Sequence, residues 1–279
     1  MTPPDKSPLP AFEAAAEILA AQDAREPAAV IVPVDGPSEW VGRRVVVRRS
    51  EDGTLRQVGS FGDDALDQGA VGLARSALED STSKVDGIHE LTSTAGDRVS
   101  VYVEGHHPHP DLVIVGAGHI AQPLCSTGSL IGFRVIVVDD RPDFATNERF
   151  PEADRVVQVD CADPFADITI HRASHVVLVT RGHKYDYECL RHLLRMEVEP
   201  PYIGMIGSRR RVRAAFAQLV KEGLPRDRLA QVRAPLGLDI RAETPAEIAV
   251  SVAAEIVLLW RGGTGSPLAE KERVLDRFF

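Results

Sequence analysis

The sequence predicts an α/β protein in which a doubly wound parallel sheet follows a smaller α+β domain. From residue 111 onward, short apolar runs alternate with helix-length stretches, and most runs are continuous, as in strands covered on both faces. Ahead of them, a hairpin pattern and two helical stretches indicate a second, smaller core. The chain has 279 residues, 44% of them hydrophobic, which suffices for two domains.

We predict five segments along the chain. Residues 1–9 are a disordered tail, residues 10–104 the small α+β domain, and residues 105–110 a linker, because the prolines there disfavour a helix. Residues 111–262 form the main domain, and residues 263–279 form a C-terminal tail.

The small domain is predicted to contain two helices and five strands. The turn sequence Glu51-Asp52-Gly53 joins two of the strands as a hairpin, and Asp63 or Asp64 can cap the second helix. The predicted helices cover residues 12–21 and 63–78, and the predicted strands cover residues 28–34, 45–49, 55–60, 87–91 and 98–103.

The main domain is predicted to alternate strands and helices, which is typical of a doubly wound sheet. The predicted strands cover residues 112–115, 134–138, 156–159, 175–180 and 202–206, and the predicted helices cover residues 118–131, 186–196, 209–222 and 245–260.

Residues 111–140 hold every part of a βαβ nucleotide-binding unit. A strand leads into a glycine turn with Gly116, Gly118 and His119, and then into a helix start, where free backbone N–H groups and the helix dipole favour an anion. Ala121 stands at the third position of the G-x-G-x-x-G/A fingerprint. The unit therefore indicates a Rossmann-like domain.

The second strand of this unit ends on two aspartates. Asp139 stands where an acidic side chain accepts hydrogen bonds from ribose hydroxyls, and Asp140 follows it. Asp139 favours a free 2′-hydroxyl, whereas Arg141 keeps a phosphorylated ribose possible. The alternative interpretation is a plain α/β turn that binds no nucleotide.

Polar residues also follow the fourth predicted strand, at the edge where parallel sheets bind ligands. His183 and Asp186 are candidates for a general acid/base and its orienting group, and Tyr185 lies between them. The alternative is that Asp186 caps the next helix while His183 is solvated.

Ser208, Arg209 and Arg210 begin the helix that follows the fifth strand. Ser208 is a suitable N-cap, but arginines at a helix start oppose the helix dipole. An anionic ligand would remove this conflict, so these residues are predicted to bind phosphate. Salt bridges to an acidic surface are the alternative.

The last loop carries Asp239 and Glu243 as candidate cofactor-binding residues. Thr244 and Glu247 after them match a capping box. The helix over residues 248–260 is apolar nearly all round, which predicts burial against the sheet or in a subunit interface.

Composition argues against several classes of function. The formal net charge of −9 argues against nucleic-acid binding and against a polybasic membrane patch. The three cysteines lack disulfide or zinc spacing, and His106, His107 and His109 are interpreted as part of the linker, so no metal site is predicted. We see no signal peptide and no apolar stretch of membrane length, and we expect a cytoplasmic protein.

Five blocks of sequence occur together over about residues 111–262. They read DLVIVGAGHIAQPL, VVDDRPDFATNERFPEAD, VTRGHKYD, YIGMIGSRRR and APLGLDIRAETPAEIA. In content and order they resemble the XdhC/CoxI family of accessory factors for molybdenum hydroxylases, such as xanthine dehydrogenase and carbon monoxide dehydrogenase. The resemblance implies a Rossmann domain that forms a homodimer and holds the molybdenum cofactor (molybdopterin). It also implies help with sulfuration of this cofactor, together with a sulfur donor, and its delivery to the hydroxylase.

The N-terminal region departs from the pattern of this family. The family carries a GSxSGGCLE-like block, which corresponds here to residues 59–67, with Ala65 in place of the cysteine and Asp63-Asp64 in place of the glycine pair. Alanine can neither ligate molybdenum nor carry sulfur, and two carboxylates would repel a phosphate.

Three functions are compatible with these residues. The first is an accessory protein that binds the molybdenum cofactor, or a nucleotide, and assists maturation of a molybdenum hydroxylase. The second is an NAD(P)-binding oxidoreductase that uses His183, Tyr185 or Asp186 as proton donor. The third is a nucleotide-binding regulatory or scaffold protein that has lost the cofactor-sulfuration site.

Overall fold

A computed structural model of the chain describes residues 9–50, 52–79 and 85–272. The predicted tail over residues 1–9 therefore lies outside the described residues except for Leu9. The chain divides into two compact units, Met1–Pro108 and His109–Phe279.

The first unit is an antiparallel sheet with a helix on each face. On β1, Ala29 and Ile31 pack into the core beneath the second helix, whereas Val30 packs against Ala14 of the first helix, as the alternation of a strand requires. The helices are α1 (Ala11–Asp23) and α2 (Asp64–Glu79), and the strands are β1 (Ala28–Asp35), β2 (Val45–Arg49), β3 (Leu55–Val58), β4 (Gly87–Thr92) and β5 (Arg98–His106), in the spatial order β3-β2-β1-β5-β4.

Strand β5 is longer than the sequence predicts. Gly105 pairs with Ala29 and His106 pairs with Ala28, so the ladder with β1 extends into the predicted linker. The pairing continues because β1 begins at Ala28 and offers partners up to that residue.

The second unit confirms the predicted doubly wound parallel sheet. Helices α3 and α7 cover one face, and α4 and α5 cover the other. The strands are β6 (Asp111–Val115), β7 (Arg134–Asp139), β8 (Arg155–Gln158), β9 (Ser174–Leu178), β10 (Tyr202–Met205) and β11 (Val232–Arg233), in the order β11-β10-β9-β6-β7-β8. The helices are α3 (Ala121–Leu130), α4 (His183–Leu193), α5 (Arg209–Lys221), α6 (Arg226–Ala230), α7 (Pro245–Arg261) and α8 (Leu268–Glu272).

Three of these elements are absent from the sequence prediction. They are α6 and α8, with five residues each, and β11, with two. Elements of one turn or one residue pair are too short to show a hydrophobic period. Within the described part of the chain, no helix is both long and apolar enough to span a bilayer.

The strand order reverses at β6, which pairs with β7 on one side and β9 on the other. The crevice beyond the carboxyl end of β6 is therefore the topological switch point, where open α/β sheets bind ligands. Strand β8 forms one edge of the sheet, and an open groove beside it is lined by Asn147, Asp154, Arg155 and Asp167 among others.

Gly116 directly follows β6, and the packing around it leaves no room for a Cβ atom. Its φ is +106°, and a Cβ atom there would lie 2.7 Å from the Val179 carbonyl oxygen and 3.0 Å from the Thr180 Cα atom. Glycine thus allows β6 to turn toward α3 against the end of β9.

We expect Gly116→Ala to lower the free energy of unfolding by about 2 kcal/mol or more, because it adds positive-φ strain to a backbone clash. Gly118→Ala is the matched control, since no atom lies within 4 Å of a Cβ built at Gly118. The control should change stability by less than about 0.5 kcal/mol. Urea unfolding monitored by circular dichroism measures both, and equal stability of the two variants would contradict the packing role of Gly116.

Candidate functional site

The turn between β6 and α3 leaves backbone donors free. Gly116 donates its N–H to Val138 at 2.7 Å, and Ala117 donates its N–H to the Asp139 carboxylate at 2.7 Å. The N–H groups of residues 118–120 have no acceptor among the described residues, and α3 has no side-chain cap at Ile120. Three unclaimed donors at the start of a ten-residue helix are suited to hold an anion. The exposed His119 side chain lies beside them.

Asp139 is buried, and its carboxylate is used inside the protein. It accepts hydrogen bonds from Ala117 N, from Arg141 N at 2.9 Å, and from Arg141 Nε and Nη2 at 2.8 and 2.9 Å. Ribose hydroxyls could reach these oxygens only by displacing Arg141. The predicted ribose contact of Asp139 therefore stays a prediction, and the observed role of Asp139 is to fix the glycine turn.

Hydrogen bonds lower the pKa of Asp139 more than burial raises it. Burial alone would raise the pKa of this carboxyl, but the bonds from the Arg141 side chain and from the Ala117 and Arg141 amides lower it to about 2. The carboxylate is thus ionised throughout the physiological range.

Asp140 faces the next loop instead. It accepts a hydrogen bond from Arg181 Nη2 at 2.9 Å. Because β6 lies between β7 and β9, this ion pair crosses the carboxyl end of β6. Burial and a hydrogen bond with Asp140 raise the pKa of the nearby Cys161 thiol to about 11, so this thiol stays protonated.

The loop after β7 brings two arginines to the turn. The Arg141 guanidinium carbon lies 3.5 Å from the centre of the Phe144 ring, and that of Arg149 lies 4.8 Å from it. Arg149 Nη2 donates to the Ala117 carbonyl at 3.3 Å, and Gln122 of α3 donates to the Arg149 carbonyl at 3.3 Å. The sequence prediction did not single out Arg149, because it lies on an irregular loop far along the chain from the glycine turn.

The loop after β9 is joined to α5 by a buried carboxylate. The Asp186 side chain is fully buried and accepts hydrogen bonds from the Thr180 hydroxyl and from Arg211 Nη2. Arg211 Nη2 also lies 3.3 Å from the Thr180 carbonyl oxygen. This network holds the loops after β9 and β10 together, a role that the sequence prediction missed.

Of the two other acid/base candidates of that loop, Tyr185 is buried and the side chain of His183 is not described. The Tyr185 side chain is 6% exposed and its hydroxyl has no hydrogen-bond partner among the described residues, while burial raises its pKa well above the usual value. His183 begins α4, but its side chain lies outside the described part of the structure.

The predicted phosphate residues after β10 are exposed. Ser208 caps α5 by accepting a bond from Arg211 N, as predicted. Arg209 and Arg210 are exposed, and neither side chain has an ion pair or hydrogen bond with any described residue. The predicted conflict between these cations and the helix dipole is thus present in the structure.

Asp239 and Glu243 lie on the exposed loop before α7. Leu236 N donates to the Met205 carbonyl at 3.2 Å, so this loop begins beside the carboxyl end of β10. The predicted capping box of Thr244 and Glu247 is confirmed. On α7 itself, Ala249, Val252 and Ile256 are buried, whereas Val250 is 53% exposed.

The N-terminal loop at the family's cysteine position satisfies its own polar groups. Asp67 accepts hydrogen bonds from the Ser60 hydroxyl at 2.5 Å and from Phe61 N at 2.7 Å. Asp63 caps α2 by accepting from Ala65 N and Leu66 N at 3.0 Å each. The aspartates thus have a structural role in this loop.

The three clustered histidines contact separate groups. His106 Nε2 lies 3.6 Å from Glu104, His107 Nε2 lies 3.1 Å from the Ala77 carbonyl, and His109 Nδ1 lies 3.0 Å from the Gly132 carbonyl. No group of three or more His, Cys, Asp or Glu side chains in the described ranges could hold a metal ion.

Comparison with known families identifies the second unit. The pattern that defines the XdhC Rossmann domain matches residues 112–256, which is more than half of the chain. The chain belongs to the XdhC family. The XdhC resemblance predicted from the five sequence blocks is therefore confirmed.

Two curated relatives are similar to this XdhC-family chain. The uncharacterized protein YqeB of Escherichia coli is 28% identical over 244 residues, which are 85% of this chain and 44% of that protein. A Bacillus subtilis protein, named as a probable subunit of xanthine dehydrogenase, is 31% identical over 158 residues, 57% of this chain and 45% of that protein. The chain thus spans less than half the length of either curated relative.

A crystal structure described as a xanthine dehydrogenase from Bacillus halodurans shares the fold. It superimposes with a TM-score of 0.52 at 21% identity and covers 92% of this chain and 99% of that one.

We expect Asp139 to stabilise the fold at neutral pH and to lose this effect in acid. Its folded pKa of about 2 lies below the ordinary value of 3.8, so the contribution is present above pH 3.8 and disappears as the pH falls through about 2. Asp139→Asn should be less stable at pH 7 by about 2 kcal/mol and converge toward wild type near pH 2. Urea unfolding across this pH range measures the difference, and parallel pH profiles would contradict it.

Proposed function

We propose that this chain is an accessory protein of a molybdenum hydroxylase and that its Rossmann domain binds the phosphate-bearing part of the molybdenum cofactor. The observation that carries this proposal is the set of unclaimed N–H groups at residues 118–120, at the topological switch point of the sheet. The name of the Bacillus subtilis relative, which refers to xanthine dehydrogenase, supports the choice of partner.

The residues at the carboxyl edge fit the anionic end of this cofactor. The amides of residues 118–120 would hold one phosphate, and Arg209 and Arg210 on α5 would contact a second anionic group. Asp239 and Glu243 at the start of α7 remain proposed polar contacts for the uncharged part. The cofactor, when bound, supplies the molybdenum chemistry to the hydroxylase, and this chain holds and orients it.

The residues of this chain are better suited to hold and deliver the cofactor than to transfer sulfur from a cysteine of the chain. Ala65 replaces the family's cysteine, and Cys161, beside the site, has a raised pKa that keeps it protonated. We therefore propose that sulfur comes from a separate donor protein. We also propose that the chain forms a homodimer through the exposed face of α7, which includes Val250.

An NAD(P)-dependent oxidoreductase is less well supported by the same geometry. Hydride transfer needs a proton donor that reaches the substrate. The Tyr185 hydroxyl is buried in the core, and the Asp186 carboxylate is bonded to Thr180 and Arg211. The glycine turn would still accept a dinucleotide, so ligand identification decides between the two functions.

We expect the protein purified from its own cell to carry a pterin with one or two phosphates, detected by mass spectrometry of the released ligand. Bound NAD(P) without any pterin would instead favour the oxidoreductase. Absence of both, together with no binding of added molybdopterin, would contradict the proposal.

We expect the double variant Arg209→Ala with Arg210→Ala to weaken molybdopterin binding roughly 10-fold, because two cations that face the anion are removed. The matched control is Lys221→Ala with Arg226→Ala, which removes two exposed cations near the other end of α5. Titration calorimetry at fixed ionic strength measures both. Equal affinity of the two double variants would reject the proposed role of Arg209 and Arg210.

A further inference from the structure

Arg149 is a half-buried cation without a counter-ion among the described residues. Its Nε atom is buried and has no hydrogen-bond partner there. Its Nη2 atom has only the neutral Ala117 carbonyl, at 3.3 Å, and no described carboxylate forms an ion pair with it. A cation withdrawn from water is costly unless a charge or strong acceptors compensate it.

Other arginines that follow β7, β9 and β10 differ in this respect. Arg141, on the same Phe144 ring, is neutralised by Asp139, and Arg211 is neutralised by Asp186. Arg181 pairs with Asp140. Each of these three arginines therefore has a carboxylate partner, whereas Arg149 has none among the described residues.

The position of Arg149 places the unbalanced charge where an anion is expected. Its side chain contacts the carbonyl of Ala117, one residue before the free N–H groups of residues 118–120. The bond from Gln122 to the Arg149 carbonyl fixes its backbone against the first turn of α3. A phosphate held by these amides would meet the guanidinium, and an Arg fork matches phosphate oxygens.

We infer that Arg149 is a ligand-binding residue that supplies the counter-charge for the phosphate or pyrophosphate group held at the glycine turn. This inference rests on the phosphate binding proposed above for the glycine turn and adds a residue and a charge requirement to it. The site selects a phosphorylated ligand, because an uncharged one leaves the guanidinium uncompensated.

The test compares Arg149→Gln, which keeps a donor for the Ala117 carbonyl, with Arg149→Lys, which keeps the charge. Arg155→Gln is the matched control, since Arg155 is an exposed arginine at the amino end of β8. The probes are ADP, inorganic pyrophosphate and adenosine, measured by titration calorimetry. The melting temperature of each ligand-free variant is measured in parallel.

We expect Arg149→Gln to weaken ADP and pyrophosphate binding by about 10- to 100-fold and to leave adenosine binding unchanged. Arg149→Lys should retain part of the affinity, and Arg155→Gln should match wild type. The ligand-free Arg149→Gln protein should melt at the wild-type temperature or above, because an uncompensated charge has been removed. If Arg149 had a purely structural role, its replacement by glutamine would lower the melting temperature.

Two results with the Arg149→Gln variant overturn the inference. One is ADP and pyrophosphate binding by Arg149→Gln at wild-type affinity, which leaves the proposed function intact. The other is equal weakening of ADP and adenosine, which shows a distorted site instead of a lost charge. A wild-type chain that binds neither ADP nor pyrophosphate overturns both this inference and the phosphate binding proposed above for the glycine turn.

Discussion

The buried carboxylate of Asp139 is the constraint on which the carboxyl edge of the Rossmann sheet depends. It ends β7 and accepts the N–H of Ala117, so it determines how the chain leaves β6. Arg141 neutralises it within the same loop, which makes burial of the charge tolerable. With Ala117 held in this way, the amides of residues 118–120 have no acceptor among the described residues.

The arginines at the carboxyl edge of this domain fall into two sets, those with a carboxylate partner and those without one among the described residues. Arg141 and Arg211 each pair with a buried aspartate, Arg141 within its own loop and Arg211 between the segments after β9 and β10. Arg149, Arg209 and Arg210 have no carboxylate partner among the described residues. The first set forms ion pairs inside the protein, and the second set supplies the positive charge on which the proposed anion binding depends.

Local patterns predicted the parts of the fold that depend on local physics. The Ser208 cap and the alternation of strands and helices in a parallel sheet followed from residue type and spacing, since caps and hydrophobic periods involve near neighbours in the chain. Gly116 was predicted as a ligand contact, yet the close approach of Val179 from another strand also requires it. The sequence did not predict the hydrogen-bond partners of the Asp139 carboxylate or the contact of Arg149 with the turn. Both depend on loop conformations, which leave no periodic signal in the sequence.

The groove beside β8 has a consequence for how copies of this chain can associate. The outer edge of β8 would be open to another strand, but Asp154, Arg155 and Asp167 surround it. A strand added from a second molecule would withdraw these polar side chains from water, which opposes the pairing. Protection of this edge by charge therefore disfavours sheet extension through β8 and fibre growth from that edge.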